Sequence, residues 1–207
     1  DLPRGTVEQW EPLVATTGDH EMFVARYGKA TKETVLHFLV ADAENQNSIL
    51  SCLLGARENA RSIKEIIPSE MWEQVNRFYL MVRDAVTRGM SHHDLHAFLA
   101  DVKAASHLLW GITDATISHG EGWHFARLRR LLERADKTSR ILDVKYFILL
   151  PTADEVGTPF DIIQWSDLLK SASALEMYYK RYGRIAPDDV AAFLILEPTF
   201  PRAIRYC

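Results

Sequence analysis

Four stretches of this chain carry apolar side chains at the helical period over 20 residues or more, and nothing else in it constrains the fold as strongly. In 47–66, Ile49, Leu53, Ala56, Ala60 and Ile63 form one stripe. Pro68 stops that helix, and Ser69 is placed to cap the next. Residues 69–88 repeat the pattern with Trp72, Val75, Phe78, Tyr79, Val82 and Val86. Residues 93–118 do so with Leu95, Phe98, Leu99, Val102, Ser106, Leu109 and Ile112. Residues 121–150 add Trp123, Ala126, Leu128, Leu131, Leu132, Ala135, Ile141, Leu142 and Phe147. The run 146–150, Tyr-Phe-Ile-Leu-Leu, continues the helical pattern and reads as a buried helix end rather than a strand. Glycine and proline, 10 and 8 in number, are sparse and cluster mostly at the breaks between these segments. Strict apolar–polar alternation is nowhere persuasive, so the expected fold is an all-α helical bundle.

The chain also matches itself. Residues 10–52 align without a gap with residues 165–207, an offset of 155. Trp10, Leu13, Glu21 and Met22 meet Trp165, Leu168, Glu176 and Met177; Arg26-Tyr27-Gly28 meets Arg181-Tyr182-Gly183. Val35, Phe38, Leu39, Ile49 and Cys52 meet Val190, Phe193, Leu194, Ile204 and Cys207. Twelve of 43 positions are identical, Trp and Cys among them, which points to an internal duplication and a pseudo-twofold bundle. A weaker echo at offset 79 sets Ala56, Arg61 and Ile63 against Ala135, Arg140 and Leu142. The second copy is preceded by a helix that the first copy lacks, and the first runs on past Cys52 where the second stops. The expectation is one all-helical domain over 1–207, truncated at both ends.

Composition narrows the function classes. Lys and Arg number 24 against 28 Asp and Glu, a net charge of −4, so no basic excess is available to grip a nucleic-acid backbone. No run of about 18 uncharged apolar residues is present to span a membrane. Residues 1–20 do not read as a signal peptide, and two cysteines make no disulfide scaffold, so a cytoplasmic setting is expected. Cys52 and Cys207, on apolar stripes at equivalent repeat positions, are expected to be buried, unpaired and non-catalytic.

Three stretches, 47–76, 107–151 and the closing Phe-Pro-Arg-Ala-Ile-Arg-Tyr-Cys, resemble the bacterial alpha-E domain family of uncharacterised all-helical proteins. The resemblance covers nearly the whole chain. It implies a further helix before residue 1 and more chain after residue 207. It also implies a genomic context shared with ATP-grasp-type ligases and transglutaminase-like cysteine proteases, and hence the making or modification of small peptides.

Two groups of residues carry chemistry. On the helices, Arg57, Glu58 and Arg61 form one charged face, and Glu133, Arg134, Asp136, Arg140 and Asp143, with Lys137, cluster in another. Such a run is commonly a solvated surface in which each pair adds only about 0.2–0.5 kcal/mol. Here the small neighbours Ala56, Ala60, Ala135 and Ser139 would let helices approach closely, and charges between close helices must be paired. A buried Arg–Glu network, a solvated face and a pocket for an anionic ligand all remain open, the buried network being favoured.

The second group is His119, Glu121 and His124 around Gly120 and Gly122. Glu121 and His124 have the i, i+3 spacing of carboxylate-bridged dimetal bundles, but no second Glu-x-x-His accompanies them. A single metal held by all three is conceivable. The favoured reading is a loop opening a helix, with Glu121 in its first turn and His124 on its surface. No metal or cofactor is expected, and no phosphate-cradling glycine loop or nucleophile elbow is present. Two functions follow: a binding or scaffold module that docks a peptide-ligating enzyme, or an enzyme acting on amide bonds through an Arg/Glu/His cluster. The missing nucleophile favours the first.

Overall fold

The computed structural model describes residues 10–89, 95–147 and 156–207. Among them all regular structure is helical. α1 is Glu11–Thr17 and α2 His20–Tyr27; α3, Lys32–Leu36, continues into a π-helical turn, His37–Ala41. α4 is Ile49–Ser62, α5 Ser69–Arg88, α6 Leu95–Thr116 and α7 Glu121–Phe147. α8 is Pro159–Ser171, α9 Leu175–Tyr182 and α10 Pro187–Leu196. No helix among the described residues is long and apolar enough to cross a membrane.

The four periodic segments are helices at nearly their expected bounds. α5 spans the expected 69–88, but Ser69 is its first helical residue and its N-cap is Pro68, with no side-chain capping bond. α4 ends at Ser62, with Ile63 as its C-cap, so residues 63–67 turn before Pro68 is reached. The start of the third segment at 93–94 and the end of the fourth at 148–150 lie outside the described residues.

The single domain expected over 1–207 packs as two compact units. One comprises the described residues up to Gly28 with those from Ala126 onward; the other runs from Lys29 to Phe125. In the first, Trp165, Leu168 and Leu169 of α8, Tyr178 of α9, and Val190, Phe193 and Leu194 of α10 bury their side chains with Leu142 of α7. Tyr178 is wholly buried, yet its hydroxyl donates to the Arg184 carbonyl at 3.0 Å and accepts from the Ala186 amide at 3.2 Å, closing the α9–α10 loop. Burial pushes that hydroxyl's pKa up, so it stays a neutral donor.

In the second unit, α4, α5 and α6 pack around Val40, Leu53, Phe78, Val82 and Phe98. Buried Asn45 donates from Nδ2 to the Phe38 carbonyl of the π-helical turn at 2.9 Å and accepts the Asn47 amide at 2.9 Å. Ser48 then caps α4 by accepting the Ser51 amide at 3.1 Å.

Local hydrogen bonds repeat at the offset of 155. α2 and α9 share bounds under that shift, as do α3 with its π-helical turn and α10. The bonds from Phe23, Gly28 and Val35 amides to Asp19, Val24 and Thr31 carbonyls recur from Tyr178, Gly183 and Val190 to Ala174, Tyr179 and Ala186. The Ser48-to-Asn45 bond recurs as Ala203 to Phe200, and the Cys52-to-Ser48 bond as Cys207 to Ala203.

The cysteines depart from expectation. Cys52 is exposed and Cys207 half-buried, and no disulfide joins them. Leu53 points into the core, and the next position back along a helix is rotated by about 100°. Cys52 therefore faces outward, and its Sγ reaches the Gln46 carbonyl at 3.5 Å. Cys207 makes the equivalent approach to the Pro201 carbonyl at 4.0 Å.

Candidate functional site

On α4, Arg57 lies against α5. Its Nε donates to Asn76 Oδ1 at 2.8 Å, and its guanidinium stands 5.1 Å from the Tyr79 ring centroid and 6.0 Å from that of Trp72. Glu58 takes Arg57 at 3.1 Å and Arg61 at 3.6 Å. Glu58 and Arg61 are exposed, so on α4 the favoured buried network gives way to an open charged face with one aromatic-backed arginine.

The segment 114–124 is a helix corner. His119 donates from Nε2 to the Asp114 carbonyl at 2.9 Å, and Trp123 donates from Nε1 to Asp114 Oδ1 at 3.1 Å. The His119 ring stacks on Trp123 at 4.2 Å, and His124 meets the other ring of the pair edge-on, 5.0 Å from Trp123. Trp123 is the buried member; His119, Glu121 and His124 are exposed. α7 opens at Glu121, where a carboxylate favours the positive end of the helix dipole. Asp114 and Trp123 thus hold the α6–α7 turn, and His119 spends its ring on that turn. No group of three His, Cys, Asp or Glu placed to hold a metal occurs among the described residues.

Along α7, Glu133 reaches Arg129 at 3.5 Å and Lys137 at 3.7 Å, and Asp136 accepts from Arg140 Nε at 2.9 Å. The Asp136 and Arg140 side chains are 45% and 40% exposed, which corrects the expectation of a buried network here too. Both partners belong to one helix, and the pair needs no second helix to cover it. Asp136, by its hydrogen bond and then its charge, raises the Arg140 pKa. The guanidinium lies against Gly18, whose φ of +83° closes α1 in a conformation that favours glycine. Arg140→Ala is therefore expected to cost at most about 1 kcal/mol, as exposed ion pairs do. A denaturation midpoint checks this, and a loss of about 3 kcal/mol, the scale of a broken buried pair, would contradict it.

Asp143 stands on another part of α7. With Ser139, Leu142, Tyr146, Ile195 and Ile204 it lines an open groove of about 440 Å³. Burial, then the charges of Asp188 and Asp161, push the Tyr146 hydroxyl pKa up. Arg134 turns to the closing segment and donates from Nη1 to the Pro201 carbonyl at 3.4 Å. One turn on, Thr138 donates to the Arg202 carbonyl at 2.8 Å.

The periodicity gave no hint of the most deeply buried charges. Lys145 and Asp161, with side chains 1% and 2% exposed, meet at 2.7 Å. Lys145 also donates to Gln164 at 2.9 Å and lies 5.2 Å from the Trp165 ring centroid. Asp161 accepts the Gly157 amide at 2.9 Å, and its own amide is capped by Thr158. The signal that finds Asp161 is Thr158-Pro159-Phe160-Asp161, a cap residue followed three positions later by an acid. Lys145, between Val144 and Tyr146, has no such local mark.

No curated protein and no solved structure matches the chain. A family profile does match, over residues 2–207, with the description "a predicted alpha-helical domain with a conserved ER motif". The chain contains one Glu-Arg dipeptide, Glu133–Arg134, and the structure sends its halves different ways. Glu133 pairs along the surface of α7, while Arg134 ties α7 to the closing segment. With the match spanning essentially the whole chain and the helical architecture in accord with it, the protein belongs to the Alpha-E family.

Proposed function

We propose that this chain is a binding or scaffold module of a cytoplasmic peptide-ligation or peptide-modification system, docking an ATP-grasp-type ligase and serving alongside a transglutaminase-like protease. The observation that carries the reading is an uncovered apolar stripe on α7. Leu128 and Leu132, at i and i+4, are 51% and 59% exposed. A helix normally turns such a stripe into a core, and an exposed one marks an interaction surface. The partner families come from the resemblance described above. The competing reading, amide chemistry by an Arg/Glu/His cluster, has less support. His119 is committed to its helix corner, and Arg57, Arg61 and Arg140 are paired with acids on open helix faces.

The test is a titration of the purified protein with an ATP-grasp-type ligase. Leu128→Glu with Leu132→Glu is expected to weaken the complex at least about tenfold, a change of 1.4 kcal/mol or more. The melting temperature should stay near that of the parent, since both side chains are already in water. Binding indifferent to these changes overturns the assignment of the stripe, and absence of a complex overturns the partner.

We further propose that residues 10–52 and 165–207 are two copies of one ancestral segment. Support comes from the twelve identities, the bounds shared by α2 with α9 and by α3 and its π-helical turn with α10, and the hydrogen bonds that recur at the same offset.

A further inference from the structure

Arg134 and Arg202 are a pair of cations with no ion-pair partner among the described residues. Among the described residues, the half-buried guanidinium groups of Arg57 and Arg140 have polar partners, Asn76 and Glu58 for the first and Asp136 for the second. Fully exposed arginines are satisfied by water. Arg134 and Arg202 are neither fully exposed nor joined to a carboxylate. Among the described residues, the acceptor of the Arg134 guanidinium is the neutral Pro201 carbonyl, on the residue next to Arg202. Thr138 holds the Arg202 carbonyl to the same face of α7, so the backbone that presents Arg202 is pinned beside Arg134. Burial lowers the Arg202 pKa, and the Arg134 charge lowers it further. The Cys207 thiol is pushed up by burial and pulled down by Arg134, which places it within the field of the same cation.

Two partly desolvated positive charges held together are unfavourable alone and demand a counter-charge. A carboxylate cancels one of them. A phosphate dianion cancels both, and its oxygens match the planar forks of two guanidinium groups. We propose that Arg134 and Arg202 form a binding site for a phosphate dianion, on the face where Thr138 fastens the closing segment to α7. The site goes beyond the docking reading, because it lies within one packed unit, away from the Leu128–Leu132 stripe in role, and needs no protein partner.

The probe is inorganic phosphate, followed by the arginine Nε–H resonances of the protein at constant ionic strength. Saturable shifts are expected at Arg134 and Arg202. In a Cys52→Ser background, phosphate is also expected to slow modification of Cys207 by a neutral disulfide reagent several-fold, as the cation that favours the thiolate is neutralised. Arg202→Gln should weaken phosphate binding at least about tenfold. Arg134→Lys keeps the charge, loses the fork and should weaken it too, which covers a failure of Arg202→Gln to fold. Arg129→Gln, at an exposed arginine paired with Glu133, should bind as the parent does. Linear, unsaturable shifts, or equal losses from Arg129→Gln and Arg202→Gln, would overturn the site. Acetate or succinate binding as tightly as phosphate would overturn the phosphate assignment.

Discussion

Asp161→Ala is expected to destabilise the protein by about 3–5 kcal/mol, because it leaves the Lys145 ammonium buried without its counter-ion. That is a large share of the roughly 5–15 kcal/mol by which a domain is stable. The loss should appear as a lower denaturant midpoint at unchanged slope. The carboxylate does more than neutralise charge. It also accepts the Gly157 amide, and its loss frees a donor at the entrance to α8. Lys145→Met should lose less, because methionine refills the volume and the Asp161 carboxylate keeps the Gly157 amide. The double replacement Lys145→Met with Asp161→Ala should then be less harmful than the two single losses added together, the signature of a direct interaction. Strict additivity, or a midpoint unmoved by Asp161→Ala, would refute a stabilising role for the pair.

Phe38→Ala and Phe193→Ala should each cost about 3–5 kcal/mol, the usual result of emptying a phenyl-sized hole in a packed core. Both side chains are buried, and they stand 155 positions apart on helices that share bounds. Phe193 packs on Phe200 with ring centroids 4.9 Å apart and meets Tyr178 edge-on at 5.7 Å, so its removal also breaks aromatic contacts. Phe38 sits on the π-helical turn whose carbonyl holds Asn45. If the segments descend from one unit, the two losses should agree within about 1 kcal/mol, inside the spread such truncations show. Hydrogen exchange at the Val35 and Val190 amides gives a local readout for each. A loss near 1 kcal/mol at one site and near 5 at the other would set the proposed equivalence aside.

The helical fold was legible because its signal is local. The stripe of Val75, Phe78 and Val82 repeats at the pitch of the backbone, and all three are buried on α5 as the period demands. Sparse glycine and proline marked the breaks for the same reason: each acts on the φ and ψ of its own few residues. The opening of α7 at Glu121 was readable too, since glycines flank it and a first-turn acid suits the dipole.

What periodicity cannot say is which face of an apolar helix finds a neighbour. Leu128 and Leu132 continue the same stripe as Leu142, yet only Leu142 is buried. The charged residues failed in the opposite direction. Small neighbours around Asp136 and Arg140 suggested close helices, but the pair closes along its own helix and stays wet. Lys145, which no local pattern singles out, is the cation that is buried. The sequence by itself determined where the helices run, because hydrogen bonding within a helix and the angular spacing of its side chains depend only on nearby residues. Tertiary structure alone decided which charges left water, because desolvation depends on what packs over a side chain, and for Lys145 that cover comes from Asp161 and Gln164, 16 and 19 positions further along the chain.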